Sequence, residues 1–354
     1  MLNQFKPPIT DRRIRFALAG CGRIARNHFE AMRQHEAGAE LVGVCDIDPA
    51  ALGNAEKLTG ARPFSRYEDM LAEVDADVVV LATPSGLHPR QTIQAAEAGF
   101  NVMTEKPMAT HWHDGQRMVD ACDQAGVRLF VVKQNRRNAT LQLLKRAVER
   151  KRFGRIYMVT VNVFWSRPQE YYDSAKWRGT WEFDGGAFMN QASHYIDLLD
   201  WLIGPVESVH AYTATLARNI QVEDTGVMNI KWRTGTLGTV AVTMLTYPRN
   251  LEGSITVIGE KGTVRVGGVA VNEIQHWEFA EADEDDAQVK DASYLTTSVY
   301  GFGHPLYYDN VLRVLRGEAE PETDGREGLR SLEILIAAYL SARDGRRVCL
   351  PLEH

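Results

Sequence analysis

Three polar residues, Asn190, His194 and Asp197, stand at a spacing that places their side chains on one face of a helix. A histidine titrates near neutral pH, so it can accept or release a proton during a reaction. An amide above the ring and a carboxylate below it can hold that ring in one orientation. The pairing suggests an oriented general base at His194, and the alternative is a structural histidine, which is the commoner role on a helix.

A second reactive candidate is Lys106, which lies in the tripeptide Glu105-Lys106-Pro107 directly after an apolar segment typical of a strand. The flanking glutamate and proline favour a fixed backbone at this point. A lysine held there can donate a hydrogen bond to a substrate hydroxyl and place positive charge beside it. The alternative is a solvated lysine without a chemical role. The sequence does not decide which of Lys106 and His194 would accept the proton.

Residues 164–183 combine aromatic and basic side chains, since seven of these twenty positions are aromatic and arginines are interleaved with them. The guanidinium group matches the oxygen geometry of phosphates and carboxylates. The segment therefore predicts a pocket for a planar base and anionic groups, and an aromatic core plug is the alternative. The expected substrate contacts are Arg136, Arg167, Tyr171, Trp177, Arg178 and Asn190.

The sequence does not favour a metal site. His111 and His113 are two residues apart at the predicted start of a helix, so their side chains point in different directions. The acidic run 281–286 is interpreted as a solvated loop.

The element expected to position this chemistry is the segment Ile14–Ala25, where an apolar run leads into Gly20-x-Gly22-x-x-Ala25 and then into a helical pattern. Such a strand, tight turn and helix bind the pyrophosphate of a dinucleotide. Asp46 ends a second apolar run 24 residues after Gly22, where a carboxylate binds ribose hydroxyls and favours NAD. The expected cofactor contacts are Gly20, Gly22, Arg23, Ile24, Asp46, Thr83, Pro84, His88, Glu105 and Lys106.

Strand and helix patterns alternate over residues 14–132, which predicts an α/β fold with a doubly wound parallel sheet of the Rossmann type. Beyond Lys133, consecutive strand patterns joined by hairpin turns predict an α+β domain with a large, mostly antiparallel sheet. We expect a dinucleotide-binding domain over 1–133 and a substrate and oligomerisation domain over 134–351. Residues 352–354 resemble the remnant of a vector-encoded tag.

Composition narrows the class of protein. The chain has 354 residues, 44% hydrophobic and 24% charged, with a net charge of −6, so a nucleic-acid partner is not expected. No apolar run is long enough to cross a membrane, and Met1–Arg13 lacks the apolar centre of a signal peptide. Four widely separated cysteines favour reduced thiols and a cytoplasmic location.

These motifs together resemble the glucose–fructose oxidoreductase / inositol dehydrogenase (Gfo/Idh/MocA) family over about residues 12–351. The resemblance rests on the glycine motif with Asp46, Thr83-Pro84 with His88, Glu105-Lys-Pro107, and the glycine-led helix with His194. It implies a Rossmann domain, an open-faced substrate domain, and oxidation of a sugar-type secondary alcohol with NAD. It also implies a homo-oligomer, with a tetramer favoured. We expect apolar strands carrying Trp232, Val240, Val242 and Met244 to pack between subunits.

One departure from the family pattern concerns the substrate. The polyol dehydrogenases commonly have aspartate four residues before the histidine, where this chain has Asn190. The stretch 186–201 is most similar to a branch of bacterial UDP-N-acetylglucosaminuronate 3-dehydrogenases. That resemblance implies a UDP-sugar acid as substrate and a role in lipopolysaccharide synthesis. The alternatives are a dehydrogenase of a free polyol or sugar, and a cofactor-binding sensor without catalysis.

Overall fold

The structure is a computed structural model that describes residues 5–296 and 303–352. The chain divides into two compact units. The first comprises Met1–Lys133 with His304–Leu329, and the second comprises Gln134–Gly303 with Arg330–His354. Among the described residues, no helix combines the length and the apolar character that crossing a membrane requires.

Strands and helices alternate in the first part of the chain. Up to residue 133 they are β1 (Ile14–Ala19), α1 (Ala25–Gln34), β2 (Ala39–Cys45), α2 (Pro49–Thr59), β3 (Arg62–Phe64), α3 (Tyr67–Glu73), β4 (Val78–Leu81), α4 (His88–Glu97), β5 (Asn101–Thr104), α5 (Trp112–Ala125) and β6 (Leu129–Val131). The later elements are α6 (Ala139–Glu149), β7 (Ile156–Phe164), α7 (Gln169–Asp173), α8 (Ser193–Ile203), β8 (Val206–Ala214), β9 (Thr225–Trp232), β10 (Leu237–Thr243), β11 (Glu252–Gly259), β12 (Gly262–Gly267), β13 (Glu273–Phe279), α9 (Val289–Ala292), α10 (Gly303–Leu315), α11 (Gly325–Asp344) and β14 (Val348–Cys349).

The first unit contains a six-stranded parallel sheet in the order β3-β2-β1-β4-β5-β6. Its central strands are continuous apolar runs because helices cover both faces of such a sheet, and all four residues of Val78–Leu81 are fully buried. The order reverses between β1 and β4, so the loops after these two strands meet at the position where doubly wound sheets bind ligands.

The segment 304–329 differs from the sequence-based division, which assigned it to the second domain. The structure groups it with the first unit, since Tyr308 and Val311 pack in the same core cluster as Phe16 and Phe130. The hydroxyl of Tyr307 also donates to the carbonyl of Val131, at 3.0 Å. The apolar face of α10 shows that the helix packs on a core, but helical spacing cannot tell which sheet it covers.

The second unit contains an eight-stranded sheet in the order β13-β12-β11-β7-β10-β9-β8-β14. The pair β7–β10 is parallel and the other pairs are antiparallel, which confirms the predicted fold class. The prediction that four apolar residues of this sheet form a face between subunits is wrong. Trp232, Val240, Val242 and Met244 are at most 1% exposed, because they point into the core of their own unit.

The acidic run 281–286 was expected to be a solvated loop, and this holds for the exposed Glu281 and Glu284 but is wrong for Asp285. Asp285 is only 4% exposed and forms an ion pair with Arg146 of α6. Arg150 and Arg152 of the same helix region bind Asp283 and Asp286 at 2.8 and 2.7 Å. At the chain end, Leu352 is buried and its N–H donates to Glu333, while residues 353–354 of the predicted tag lie outside the described residues.

Candidate active site

The turn between β1 and α1 leaves its backbone approachable on one side. Gly20 has a φ of +93°, and a Cβ there would lie 2.5 Å from the carbonyl carbon of Ala82. A Cβ on Gly22, by contrast, would meet no atom within 4 Å. Arg23 is exposed, and Ile24 precedes α1 without a side-chain cap. The first N–H groups of the helix can therefore bind an anion such as a pyrophosphate.

Asp46 is held beside this turn by the backbone. Its Oδ2 accepts a hydrogen bond from the N–H of Cys21 at 2.7 Å, and its Oδ1 accepts one from the N–H of Asp48 at 2.8 Å. A carboxylate oxygen has two lone pairs, so each can accept a further bond from a ribose hydroxyl. The next residue, Ile47, is 91% exposed and carries no charge that would attract a 2′-phosphate. These residues fit NAD.

His88 is fully buried and joins two loops of the first unit. Its Nδ1 lies 3.1 Å from the carbonyl oxygen of Pro107, and its Nε2 lies 2.9 Å from that of Thr83. Burial lowers the pKa of His88. Thr83 and Pro84 are half-buried, and the Thr83 hydroxyl donates to Gln91 at 2.6 Å. His88, expected as a cofactor contact, is therefore buried between the backbones of Thr83 and Pro107 and fixes the separation of these two loops.

Glu105 is also buried and anchors the backbone of Lys106. The Nε2 atoms of His28 and His304 lie 3.1 and 3.3 Å from its Oε1, and the N–H of Lys106 donates to its Oε2 at 3.2 Å. Burial acts to raise the pKa of this carboxyl, but the hydrogen bonds from the two histidines outweigh it and hold the pKa well below its usual range. The half-buried Lys106 is therefore carried on a backbone fixed by an ionised carboxylate.

The cluster His28, Glu105 and His304 has the composition of a metal site, since its potential ligand atoms lie within 4.8 Å of one another. Its distances are those of hydrogen bonds, however. Both imidazoles approach one carboxylate oxygen, and Nδ1 of His28 lies 2.9 Å from the hydroxyl of Tyr308. Because these bonds satisfy the side chains, we assign the cluster to anchoring Lys106.

In the second unit, a π-helical turn, Ala187–Gln191, leads into α8. The glycines before it allow a close approach, because a Cβ on Gly186 would lie 1.9 Å from Oε2 of Glu223. Oε1 of Glu223 accepts hydrogen bonds from the N–H of Phe188 and the hydroxyl of Tyr339, both at 2.8 Å. Burial raises the pKa of Glu223 to about 7. Glu223 was not predicted from the sequence, because it lies 35 positions from Phe188 along the chain.

His194 lies in the first turn of α8 and is 5% exposed. Its Nε2 is 3.3 Å from Nε2 of Gln134, a residue that sequence reasoning missed. When the amide nitrogen of Gln134 donates, Nε2 of His194 accepts, and this requires a neutral ring. A neutral imidazole is the form that can take up a proton.

Asp197, one helical turn after His194, binds Arg136 through two hydrogen bonds of 2.7 Å. Both side chains are buried, at 2% and 6% exposure. The structure thus places Arg136, expected as a substrate contact, in an internal salt bridge. Gln134 and Arg136 belong to the same short 3-10 turn, so this turn contacts α8 at His194 and at Asp197, which lie about one helical turn apart.

The arginines and aromatic residues of the 164–183 segment lie together. The guanidinium groups of Arg167 and Arg178 lie 5.4 and 4.4 Å from the ring centre of Tyr171. Arg178 also donates to the Tyr171 hydroxyl at 2.7 Å and lies 4.5 Å from the ring centre of Trp177. The four side chains are half-buried. Four of the expected substrate contacts therefore form one cationic, aromatic cluster.

Gln191 connects this cluster to the π-helical turn that carries Asn190. Its Oε1 accepts from Nε of Arg167, and its Nε2 donates to the hydroxyl of Tyr171, both at 3.2 Å. The sequence analysis did not select Gln191. Its position next to Asn190 was the one sequence feature that could have indicated a role in the site. Only the π-helical geometry turns the side chains of both Asn190 and Gln191 toward polar partners.

Two sequence profiles match most of the chain. Residues 14–133 match the oxidoreductase family's NAD-binding Rossmann fold, and residues 145–350 match the C-terminal alpha/beta domain of the same family. The chain belongs to the Gfo/Idh/MocA oxidoreductase family. The family resemblance and the NAD cofactor inferred from the sequence are both confirmed.

The chain is also similar to individual dehydrogenases. It is 72% identical to the WlbA dehydrogenase from Chromobacterium violaceum, solved with NADH and UDP-GlcNAcA, with a TM-score of 0.96 and 100% of each chain covered. It is 71% identical to the WlbA dehydrogenase from Bordetella pertussis, solved with the same two ligands, again with a TM-score of 0.96, over 98% of this chain and 100% of that one. A D-apiose dehydrogenase from Paraburkholderia graminis is 28% identical, over 96% of this chain and 90% of its own length.

Proposed function

We propose that this protein is an NAD-dependent dehydrogenase that oxidises the 3-hydroxyl of UDP-N-acetylglucosaminuronic acid to the 3-keto sugar, within lipopolysaccharide sugar synthesis in the cytoplasm. The observation that carries the proposal is the pair of guanidinium groups packed on Tyr171, next to the turn that leads into the His194 helix. A UDP-sugar acid offers a planar base, a pyrophosphate and a carboxylate, which match such a cluster. The ligands of the two WlbA dehydrogenases support the same substrate.

In this reaction His194 accepts the hydroxyl proton as the C3–H bond breaks. The neutral ring takes up the proton at the nitrogen that carries no hydrogen, and Gln134, 3.3 Å from Nε2, orients the ring. Lys106 contributes a positive charge that stabilises the alkoxide as it develops, and the anchored Glu105 fixes the backbone from which the lysine extends. Bound NAD supplies the hydride acceptor.

Arg167 and Arg178 bind the anionic groups of the substrate, while Tyr171 and Trp177 provide aromatic surface for its uracil ring. Because the charges of the phosphates and the carboxylate do not change during hydride transfer, these contacts stabilise substrate and transition state alike. Asn190 hydrogen-bonds the sugar without adding a second negative charge near its carboxylate.

We further propose that the protein forms a homotetramer through the open face of the second sheet. Met158, Leu237 and Ile258 are cross-strand neighbours on this face and are 42%, 53% and 37% exposed. Adjacent apolar side chains on a sheet face favour burial against another sheet. Light scattering at micromolar concentration should give about four times the chain mass of 39.7 kDa, and a monomer would contradict the assembly.

The function is tested by following NADH absorbance with purified protein and UDP-N-acetylglucosaminuronic acid. Neutral UDP-N-acetylglucosamine is the matched control, because it differs at C6 only, where it has a hydroxymethyl group instead of the carboxylate. We expect the acid to be oxidised with a kcat/KM at least about tenfold higher, which corresponds to ~1.4 kcal/mol of selective binding. Equal oxidation of both sugars, or oxidation of inositol alone, would overturn the assignment.

A further inference from the structure

Asp184 is a buried carboxylate to which the proposed reaction assigns no role. It is 1% exposed and directly precedes Gly185 and Gly186, the two glycines before the π-helical turn. Its Oδ2 accepts a hydrogen bond from the N–H of Gly179 at 2.7 Å. Its Oδ1 accepts one from the side-chain amide of Asn190. One side chain therefore binds two segments that each carry expected substrate contacts.

The first of these segments ends at Gly179, which directly follows Arg178. Gly179 has a φ of +67°, and a Cβ there would lie 2.7 Å from the side chain of Ile220, so the backbone at this point suits glycine. The hydrogen bond from its N–H to Asp184 fixes the direction in which the chain leaves Arg178. The Arg178 guanidinium, carried by the residue before Gly179, lies 4.4 Å from the ring centre of Tyr171.

The second segment is the π-helical turn, in which the N–H of Asn190 donates to the carbonyl of Gly186 at 3.0 Å. Only the NH₂ end of an amide can donate to a carboxylate, so the contact with Asp184 also fixes which way the Asn190 amide points. An aspartate at position 190 would instead place two carboxylates against each other. Like charges at that distance strongly raise the pKa of one of them.

We propose that Asp184 is a positioning residue for the sugar end of the substrate. It fixes the Asn190 amide and the backbone after Arg178 in one arrangement, and it makes an asparagine, rather than the aspartate of the polyol dehydrogenases, necessary at position 190. The site then has one buried carboxylate in place of two. The part of this inference that concerns the substrate rests on the proposed function, whereas the coupling of Asp184 to Asn190 does not.

The test is a double-mutant cycle of D184N, N190D and the exchanged pair D184N/N190D. In D184N, the new amide accepts from Gly179 and presents its NH₂ group to Asn190, whose own amide must then rotate. We expect kcat/KM for the UDP-sugar acid to fall at least about tenfold. In N190D, two carboxylates meet, and we expect a loss of at least about a hundredfold at pH 8 that becomes smaller as pH falls and one of them is protonated.

The exchanged pair is the decisive variant, because an N–H···O bond can form again with donor and acceptor reversed. We expect D184N/N190D to recover at least about tenfold in kcat/KM over N190D, and to melt closer to the wild type than N190D does. Additive effects of the two substitutions would overturn the proposal. D173N is the matched control, since Asp173 is an exposed residue of the same region, and it should leave kcat and KM unchanged.

The melting temperatures separate this proposal from the proposed function. If the wild type oxidises no UDP-sugar but the melting temperatures still show non-additive coupling, the function fails and the coupling stands. If the wild type is active but the effects on melting are additive, the coupling fails alone. If N190D does not fold, a D184N/N190D protein that is soluble and active supports the proposal. If neither N190D nor D184N/N190D folds, and D184N is near wild type in activity, the proposal is overturned.

Discussion

Arg136 and Asp197 form a bidentate salt bridge inside the second unit, with two N–O distances of 2.7 Å. The bridge attaches the short turn 134–137 to α8, one helical turn beyond His194. It also accounts for an arginine that the sequence analysis expected at the substrate. A guanidinium that is 6% exposed and bound to a buried carboxylate supports the helix that carries the catalytic candidate.

We predict that Arg136→Ala lowers the free energy of unfolding by about 3–5 kcal/mol, because it removes the guanidinium that pairs with the buried carboxylate of Asp197. The measurement is urea unfolding followed by circular dichroism. The paired replacement Arg136→Met with Asp197→Leu is the control, since it removes both charges. It should recover most of the lost stability, and a pair as unstable as the single variant would contradict this account.

A second prediction concerns the buried Glu223, whose pKa is raised to about 7 by burial. Between the ordinary carboxyl pKa of 4.5 and this value, the folded protein binds a proton that the unfolded chain does not. The contribution of Glu223 to the free energy of unfolding is therefore fully present below pH 4.5 and is lost as pH rises through 7. The total loss is about 3 kcal/mol.

Glu223→Gln should remove this pH dependence, because the amide is neutral throughout and can still accept from Phe188 and Tyr339 through one oxygen. Unfolding free energies measured from pH 5 to 8 should show a flatter profile in the variant, with the variant the more stable protein at pH 8. Parallel profiles for the two proteins would show that Glu223 does not titrate in this range.

The third prediction is a preference for NAD over NADP of at least about tenfold, or ~1.4 kcal/mol. The Asp46 carboxylate would repel a 2′-phosphate, and the neighbouring Ile47 offers no compensating charge. Titration calorimetry with both cofactors measures the ratio. Asp46→Ser with Ile47→Arg should narrow or reverse it, and equal affinities in the wild type would refute the role of Asp46.

The fourth prediction concerns catalysis. His194→Asn should lower kcat by roughly 10²–10⁴ because it removes the proposed proton acceptor, while NAD affinity changes little, since the proposed cofactor contacts belong to the first unit. Steady-state kinetics and cofactor titration test both parts. Arg178→Ala is the contrasting variant and should chiefly raise KM for the UDP-sugar acid. A near-native kcat for His194→Asn would exclude the mechanism.

Short-range pattern in the sequence was enough to predict the fold class, the family and the NAD cofactor. The glycine motif and the apolar strand segments between the helices are local signals. They can be recognised in the sequence because a strand, turn or helix depends on neighbouring residues and on the period of the apolar pattern. The cluster of Arg167, Tyr171 and Arg178 was also predictable, since its members lie within 12 residues of one another.

Only the tertiary structure decided the partners of the buried polar groups. Glu105 binds His304, 199 residues away, and Glu223, just before β9, accepts a hydrogen bond from the N–H of Phe188, 35 residues away. Sequence alternation likewise showed two faces for β9 and β10 but not which face is covered, and Trp232 and Val240 proved to be internal. Such choices depend on which distant groups the fold brings within hydrogen-bond distance, and a buried polar group must find its partner wherever the packed chain provides one.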